Sequence, residues 1–250
     1  MSDHRAEEGS SPRNPGEVLL HPTVERHGLR EQEVLWKQFL ALAGDVVAAF
    51  EKSVEVLCEG RFELIDDIER QEEASDRREV QIEQECLRIL ARYEPVASDL
   101  RRMATVLKLN RDWERIADFA VRIARRAYRL SCHPAQLPVT EPLRKLARDV
   151  CSQVRASHSA LTRGDSALAR AIIAGDAAID SQYRLLRRTF RDNMLRHANQ
   201  IDGWLLLLNE ARNLERVADH AVGIAQSVIY LQEGIIVRHG LGDESERPGT

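Results

Sequence analysis

One phrase occurs twice in this chain and limits the folds open to it. It first reads Trp113-Glu114-Arg115-Ile116-Ala117-Asp118-Phe119-Ala120-Val121, and later Leu214-Glu215-Arg216-Val217-Ala218-Asp219-His220-Ala221-Val222. The repetition extends far upstream. Leu143, Leu146, Val150, Val154 and Leu161 follow Phe39, Leu42, Val46, Phe50 and Leu57 at one offset (143 − 39 = 104), as Gly164 follows Gly60. Asp176 and Asp180 follow Glu72 and Asp76 at the same offset (180 − 76 = 104). At the repeated phrase the offset falls to 101 (219 − 118 = 101). Three residues are therefore missing from the second copy, near the turn before its third segment. A tandem duplication of this length builds two related units.

The local pattern says what each unit is made of. Leu35, Phe39, Leu42, Val46, Phe50, Ser53 and Leu57 recur every three or four residues, the spacing of one helical face. Gly60 suits the end of that helix. A second helix is expected from about Phe62 to Tyr93, with Ile68, Ser75, Ile82 and Ile89 inside. Pro95 suits the start of a third, running to about Leu130 along Leu109, Trp113, Ile116, Ala120, Ile123 and Ala127. The prediction is all-α: two tandem three-helix bundles at 29–131 and 139–237, each closing its own core. A flexible leader is expected at 1–28, a Pro-bearing linker between the bundles, and a disordered tail at 238–250.

Composition narrows function. A net charge of −4 argues against a general nucleic-acid binder. No apolar run approaches ~20 residues, so no membrane span is expected. The first residues lack the apolar core of a secretion signal. Cys58, Cys86, Cys132 and Cys151 show no paired spacing and do not recur between copies. They read as reduced, mostly packed residues of a cytoplasmic protein.

The acidic residues carry the functional signal. Glu114/Asp118 and Glu215/Asp219 lie four apart, so each pair stacks on one helix face. Glu72/Asp76 and Asp176/Asp180 do the same on the second helices. Like charges so placed repel unless a cation sits between them. On a helical wheel Glu114 and Asp118 fall on the outer half, away from their own bundle's seam. Glu69, Glu72, Asp76, Glu79 and Glu83 form a stripe beside the buried line of the second helix. Two readings follow. The carboxylates are solvated faces with arginine partners, or they converge on Mg, Mn, Ca or Fe, which favour oxygen ligands. Recurrence in register favours the second, though a repeated docking surface would also keep it.

The repeated phrase resembles the signature of the PhoU family of phosphate-uptake regulators. Pro95-Val96-Ala97-Ser98-Asp99-Leu100-Arg101 is similar to the family's entry into that helix. Ala117 and Ala218 stand where the family usually has glycine. The resemblance implies two tandem three-helix bundles binding metal, iron or zinc first and Mg or Mn next, at Glu72, Asp76, Glu114, Asp118, Asp176, Asp180, Glu215 and Asp219. It implies a homodimeric adaptor between a phosphate ABC transporter and a sensor histidine kinase, holding the starvation response down. Membrane association is expected through those partners only. No catalytic set is visible, so no enzyme is expected. A di-metal carboxylate hydrolase or oxidase and a metal-free docking scaffold are the rival readings.

Single residues divide as follows. His220 takes the place of Phe119 and reads as an aromatic filler or a donor to a ligand. His158 reads as a partly buried, satisfied histidine. Arg115 and Arg216 either neutralise the acidic pairs or orient them. Trp113 belongs to the core.

Overall fold

The computed structural model describes residues 22–135 and 137–237, and the side chains from residue 27 onward. Six long helices account for nearly all of it. They are α1 (Pro22–Glu59), α2 (Ile65–Tyr93), α3 (Ala97–Ser131), α4 (Glu141–Arg163), α5 (Ser166–Arg196) and α6 (Ile201–Glu233). Short 3₁₀ turns, Phe62–Leu64 and Ala198–Gln200, lead into α2 and α6. The first three helices pack as one bundle and the last three as another.

The duplication is visible in small details. Ser53 and Ser157 are buried at equivalent positions. Each hydroxyl donates to a carbonyl three residues back, Phe50 O at 2.7 Å and Val154 O at 2.8 Å. Gly60 and Gly164 end α1 and α4 with φ of +71° and +64°, a region where a side chain is strained. The three-residue deficit falls at the α5–α6 corner, where the flanking helix ends are four residues shorter and the turn, 197–200 against 94–96, is one residue longer.

Two features differ from expectation. The helix begins at Pro22, inside the segment 1–28 read as leader. Proline is tolerated in a first helical turn because its missing N–H would be unpaired there anyway. The rest of that leader and the tail 238–250 lie outside the described residues. The bundles also do not close separate cores. One apolar cluster runs through both, because α1 packs on α4 and α3 on α6. The reason is that α3 is buried on both flanks of the Trp113 seam, at Ala117 and Val121 on one side and Phe119 on the other.

The contact between copies follows a pseudo-two-fold axis. Glu51 and Arg155 are equivalent positions (155 − 51 = 104), and they form an ion pair at 2.6 Å. Phe119 and His220 are equivalent (220 − 119 = 101), and their ring centroids lie 6.1 Å apart. Facing of equivalent residues is the signature of an isologous contact, here within one chain. It leaves α2 and α5 as the outer helices.

Candidate functional site

The acidic pairs lie in the grooves between an outer helix and its middle neighbour. In the first copy Glu72 and Asp76 on α2 face Glu114 and Asp118 on α3. Their side chains are neither core nor free surface: Glu114 and Asp118 are 25% and 20% exposed. The wheel put these two on the outer half of α3. That half is partly closed, because α3 is wedged between α1, α2 and α6.

Burial and mutual repulsion set their acid strength. Partial burial, and then the neighbouring Asp76 and Asp118 charges, push the Glu72 carboxyl above its ordinary value. Asp76 is raised by burial and by Asp118, and Glu114 by burial, Asp118 and Asp76. These cross-helix influences show that carboxylates from α2 and α3 share one field. Glu79 joins them, raised by burial, then Glu83, Glu114 and Asp76. The stripe on α2 was legible in sequence, yet Glu79 has no acidic counterpart in copy two (79 + 104 = 183, Tyr183) and so falls outside the paired set. Asp76, Glu79, Glu83, Arg111, Glu114 and Arg115 line an open cleft of about 540 Å³.

The second copy repeats the arrangement with fewer acids. Burial raises Asp176, and Asp180 adds to it against a hydrogen bond from Gln153. Glu215 is raised by burial, Asp219 and Asp180, and Asp219 by burial, Asp176 and Asp180. All four predicted residues of each copy are thus linked electrostatically across their groove.

Arginine separates the two sites. Arg122 donates to Asp118 at 2.7 Å, and Arg115 stands 3.4 Å from both Glu114 and Asp118. Glu69 is held by Arg125 at 2.5 Å. Among the described residues Arg216 forms no ion pair, and neither do Asp176, Asp180, Glu215 and Asp219. The first copy is partly neutralised and the second is not. No three His, Cys, Asp or Glu side chains among the described residues are gathered closely enough to hold an ion between them.

The other singled-out residues settle simply. His220 reaches across to α3, its Nδ1 3.0 Å from Asp112 Oδ1. His158 packs its ring edge-on against Trp113, which is fully buried. Cys58 and Cys86 are buried and Cys132 is exposed; all four thiols are free. Sequence reading missed Glu210, wholly buried on α6 with Arg126 Nε 3.4 Å away. Its equivalent in the first copy is the core residue Leu109, a signal that could have found it.

The PhoU domain family model matches this chain twice, over residues 39–127 and 143–228. The chain belongs to the PhoU family. A Pseudomonas putida protein, "Phosphate-specific transport system accessory protein PhoU homolog", is 34% identical over 224 residues, covering 89% of this chain and 87% of that one. The Pseudomonas aeruginosa homologue is 33% identical over 84% of this chain and 86% of its own length. Crystal structures of PhoU agree in fold. That from P. aeruginosa matches with a TM-score of 0.79 at 32% identity, over 82% of this chain and 99% of that chain. The Streptococcus pneumoniae protein, called a phosphate transport system regulatory protein, gives 0.76 at 25% identity, over 85% of this chain and 100% of its own. The PhoU relatives it matches are named as accessory or regulatory proteins, not as enzymes. No described helix is long and apolar enough to cross a membrane.

Proposed function

We propose that this chain restrains phosphate uptake and the phosphate-starvation response as an adaptor between a phosphate ABC transporter and a sensor histidine kinase, with cations held at its duplicated carboxylates. The observation that carries the metal half is the acidic quartet, Glu72, Asp76, Glu114 and Asp118, repeated in register as Asp176, Asp180, Glu215 and Asp219. Family membership and the names of the relatives carry the adaptor half.

The residues fit a cation in two respects. The donors are all carboxylate oxygens, suited to iron, Mg or Mn and acceptable to zinc. The carboxyl pKa values of Glu72, Asp76, Glu114, Asp176, Glu215 and Asp219 are raised by burial and by neighbouring carboxylates, so positive charge placed among them would relieve repulsion. The bound ion would supply that charge. Since no three side chains already close on one point, water or a shift of rotamers would complete its shell. The second copy, free of arginine partners, is the better prepared site.

Metal analysis of the full chain, purified without chelator, tests this half. Bound iron or zinc in the native protein, lost in an Asp118→Ala, Asp219→Ala variant, supports it; equal and near-zero content in both sinks it. Pull-down with the cytoplasmic parts of transporter and kinase tests the other half, and no capture at physiological salt counts against it. A metal-free docking scaffold is favoured by one observation, the Arg115 and Arg122 contacts to Asp118. Capture that is salt-sensitive yet indifferent to chelator would select that reading.

A further inference from the structure

The two copies differ most at the turns joining their last two helices. In the first copy the α2–α3 turn is covered by α1, whose 38 residues reach far beyond the 23 of its counterpart α4. Gly28 packs against the Tyr93 ring; a Cβ there would lie 3.0 Å from it. Glu31 takes Arg88 at 2.5 Å and Glu33 takes Arg102 at 2.9 Å. Arg102 also lies over the Trp36 ring, 4.6 Å from its centroid. The charges of this end cancel: residues 80–104 hold Arg88, Arg92, Arg101 and Arg102 against Glu83, Glu85, Glu94 and Asp99.

The second copy has no such cover, and its charges do not cancel. Between residues 184 and 205 stand Arg184, Arg187, Arg188, Arg191 and Arg196 against Asp192 and Asp202 alone. Arg191 is paired with Asp192 at 3.1 Å. Among the described residues Arg187, Arg188 and Arg196 have no hydrogen-bond or ion-pair partner, and all three are exposed. Apolar side chains stand among them. Leu195 is 79% exposed, Leu185 56%, and Ile201 and Leu205 are exposed across the turn on α6. The linker reaches this end near Gly203 with Leu137 and leaves those residues bare. Water is a poor environment for such leucines, and unpaired arginines draw anions.

We propose that the α5–α6 turn is a docking surface for an anionic lipid bilayer. Guanidinium groups interleaved with aliphatic side chains on a helix-hairpin tip match a headgroup layer: phosphates for the arginines, the acyl boundary for Leu195 and Ile201. The unpaired arginines span α5 over about 14 Å, at ~1.5 Å per residue, with Arg188 between Arg187 and Arg196 on the two flanks of the helix. Direct contact with lipid departs from the expectation that partners alone bring the chain to a membrane. It stands whether or not the adaptor reading holds.

Flotation of the full chain with phosphatidylcholine vesicles, with and without phosphatidylglycerol, tests the proposal at low and high salt. The full chain floats with the anionic vesicles at low salt, and high salt releases it. An Arg187→Ser, Arg188→Ser, Arg196→Ser variant, all at exposed positions, binds at least about 100-fold more weakly, at roughly 5-fold per arginine. An unchanged melting curve shows that it is folded. Failure of the native chain to float at low salt overturns the proposal, as does equal flotation of the folded variant. Capture by poly-glutamate without flotation overturns it in favour of an acidic protein partner.

Discussion

Glu210 of α6 and Arg126 of α3 meet where the two copies join, the carboxyl wholly buried and its nearest oxygen 3.4 Å from the guanidinium Nε. Neither carboxylate oxygen has a hydrogen bond. Burial pushes the Glu210 carboxyl up to about 8, against a lesser opposing pull from Arg126.

Its first consequence is a pH dependence. A carboxyl whose folded pKa is raised from 4.5 to about 8 binds a proton that the unfolded chain gives up. Its contribution to stability is complete below the unfolded value and is lost as pH rises through the folded one. Between pH 5 and 7.5 it lowers stability by up to about 1.4 kcal/mol per pH unit. Urea unfolding at several pH values checks this: the slope shrinks in Glu210→Gln.

The mirror positions in the other half of the contact are Leu109 and Ser227. Rewriting the pair to match, Glu210→Leu with Arg126→Ser, removes a buried carboxyl and guanidinium that satisfy each other poorly. Such replacements stabilise by about 1–4 kcal/mol when well packed. A denaturation midpoint that falls instead shows that the pair is needed where it stands.

His220 and Asp112 tie the copies together at the same contact. Alanine at either position costs about 1 kcal/mol. A double-mutant cycle on thermal unfolding gives a coupling of about 0.5–1 kcal/mol. Additive losses would show that the two side chains act independently.

Two glycines respond in opposite directions. Gly164 has φ +64°, and a Cβ there would lie 2.5 Å from Gln232 Nε2. Gly164→Ala costs about 1 kcal/mol or more. Gly175 lies inside α5 with nothing within 4 Å of its added Cβ. Gly175→Ala gains about 0.5–1 kcal/mol by helix propensity. Paired melting curves of the two variants check both signs.

Much of this architecture is legible in the residue order, and the reasons for the rest are physical. Spacing in threes and fours shows one face of a helix, which found the seam through Trp113. It does not show further buried faces, so the burial of Ala117, and of Phe119 beside His220 of α6, stayed hidden and the cores were read as separate. The part of α1 from Gly28 to Trp36 is held by tertiary partners, Tyr93, Arg88 and Arg102, rather than by periodicity of its own. The acidic pairs were legible because duplication preserved them. Their neutralisation was not, since the same Glu-Arg-x-Ala-Asp phrase gives Arg115 two carboxylates and leaves Arg216 without an ion pair among the described residues.

The central claim is that both quartets are built to hold cations. The most direct measurement is the melting temperature of the full chain, stripped of metal and titrated with iron or zinc, beside the Asp118→Ala, Asp219→Ala variant. Raised carboxyl pKa values mean that repulsion costs stability as pH rises through them. The stripped variant melts close to the stripped native chain, because relief of repulsion at Asp219 is offset by loss of the Arg115 and Arg122 contacts to Asp118. A bound ion then adds stability to the native chain in proportion to its excess over the dissociation constant. The account predicts a rise in the native melting temperature that the variant lacks. No rise in the native chain, or an equal rise in both, would contradict it.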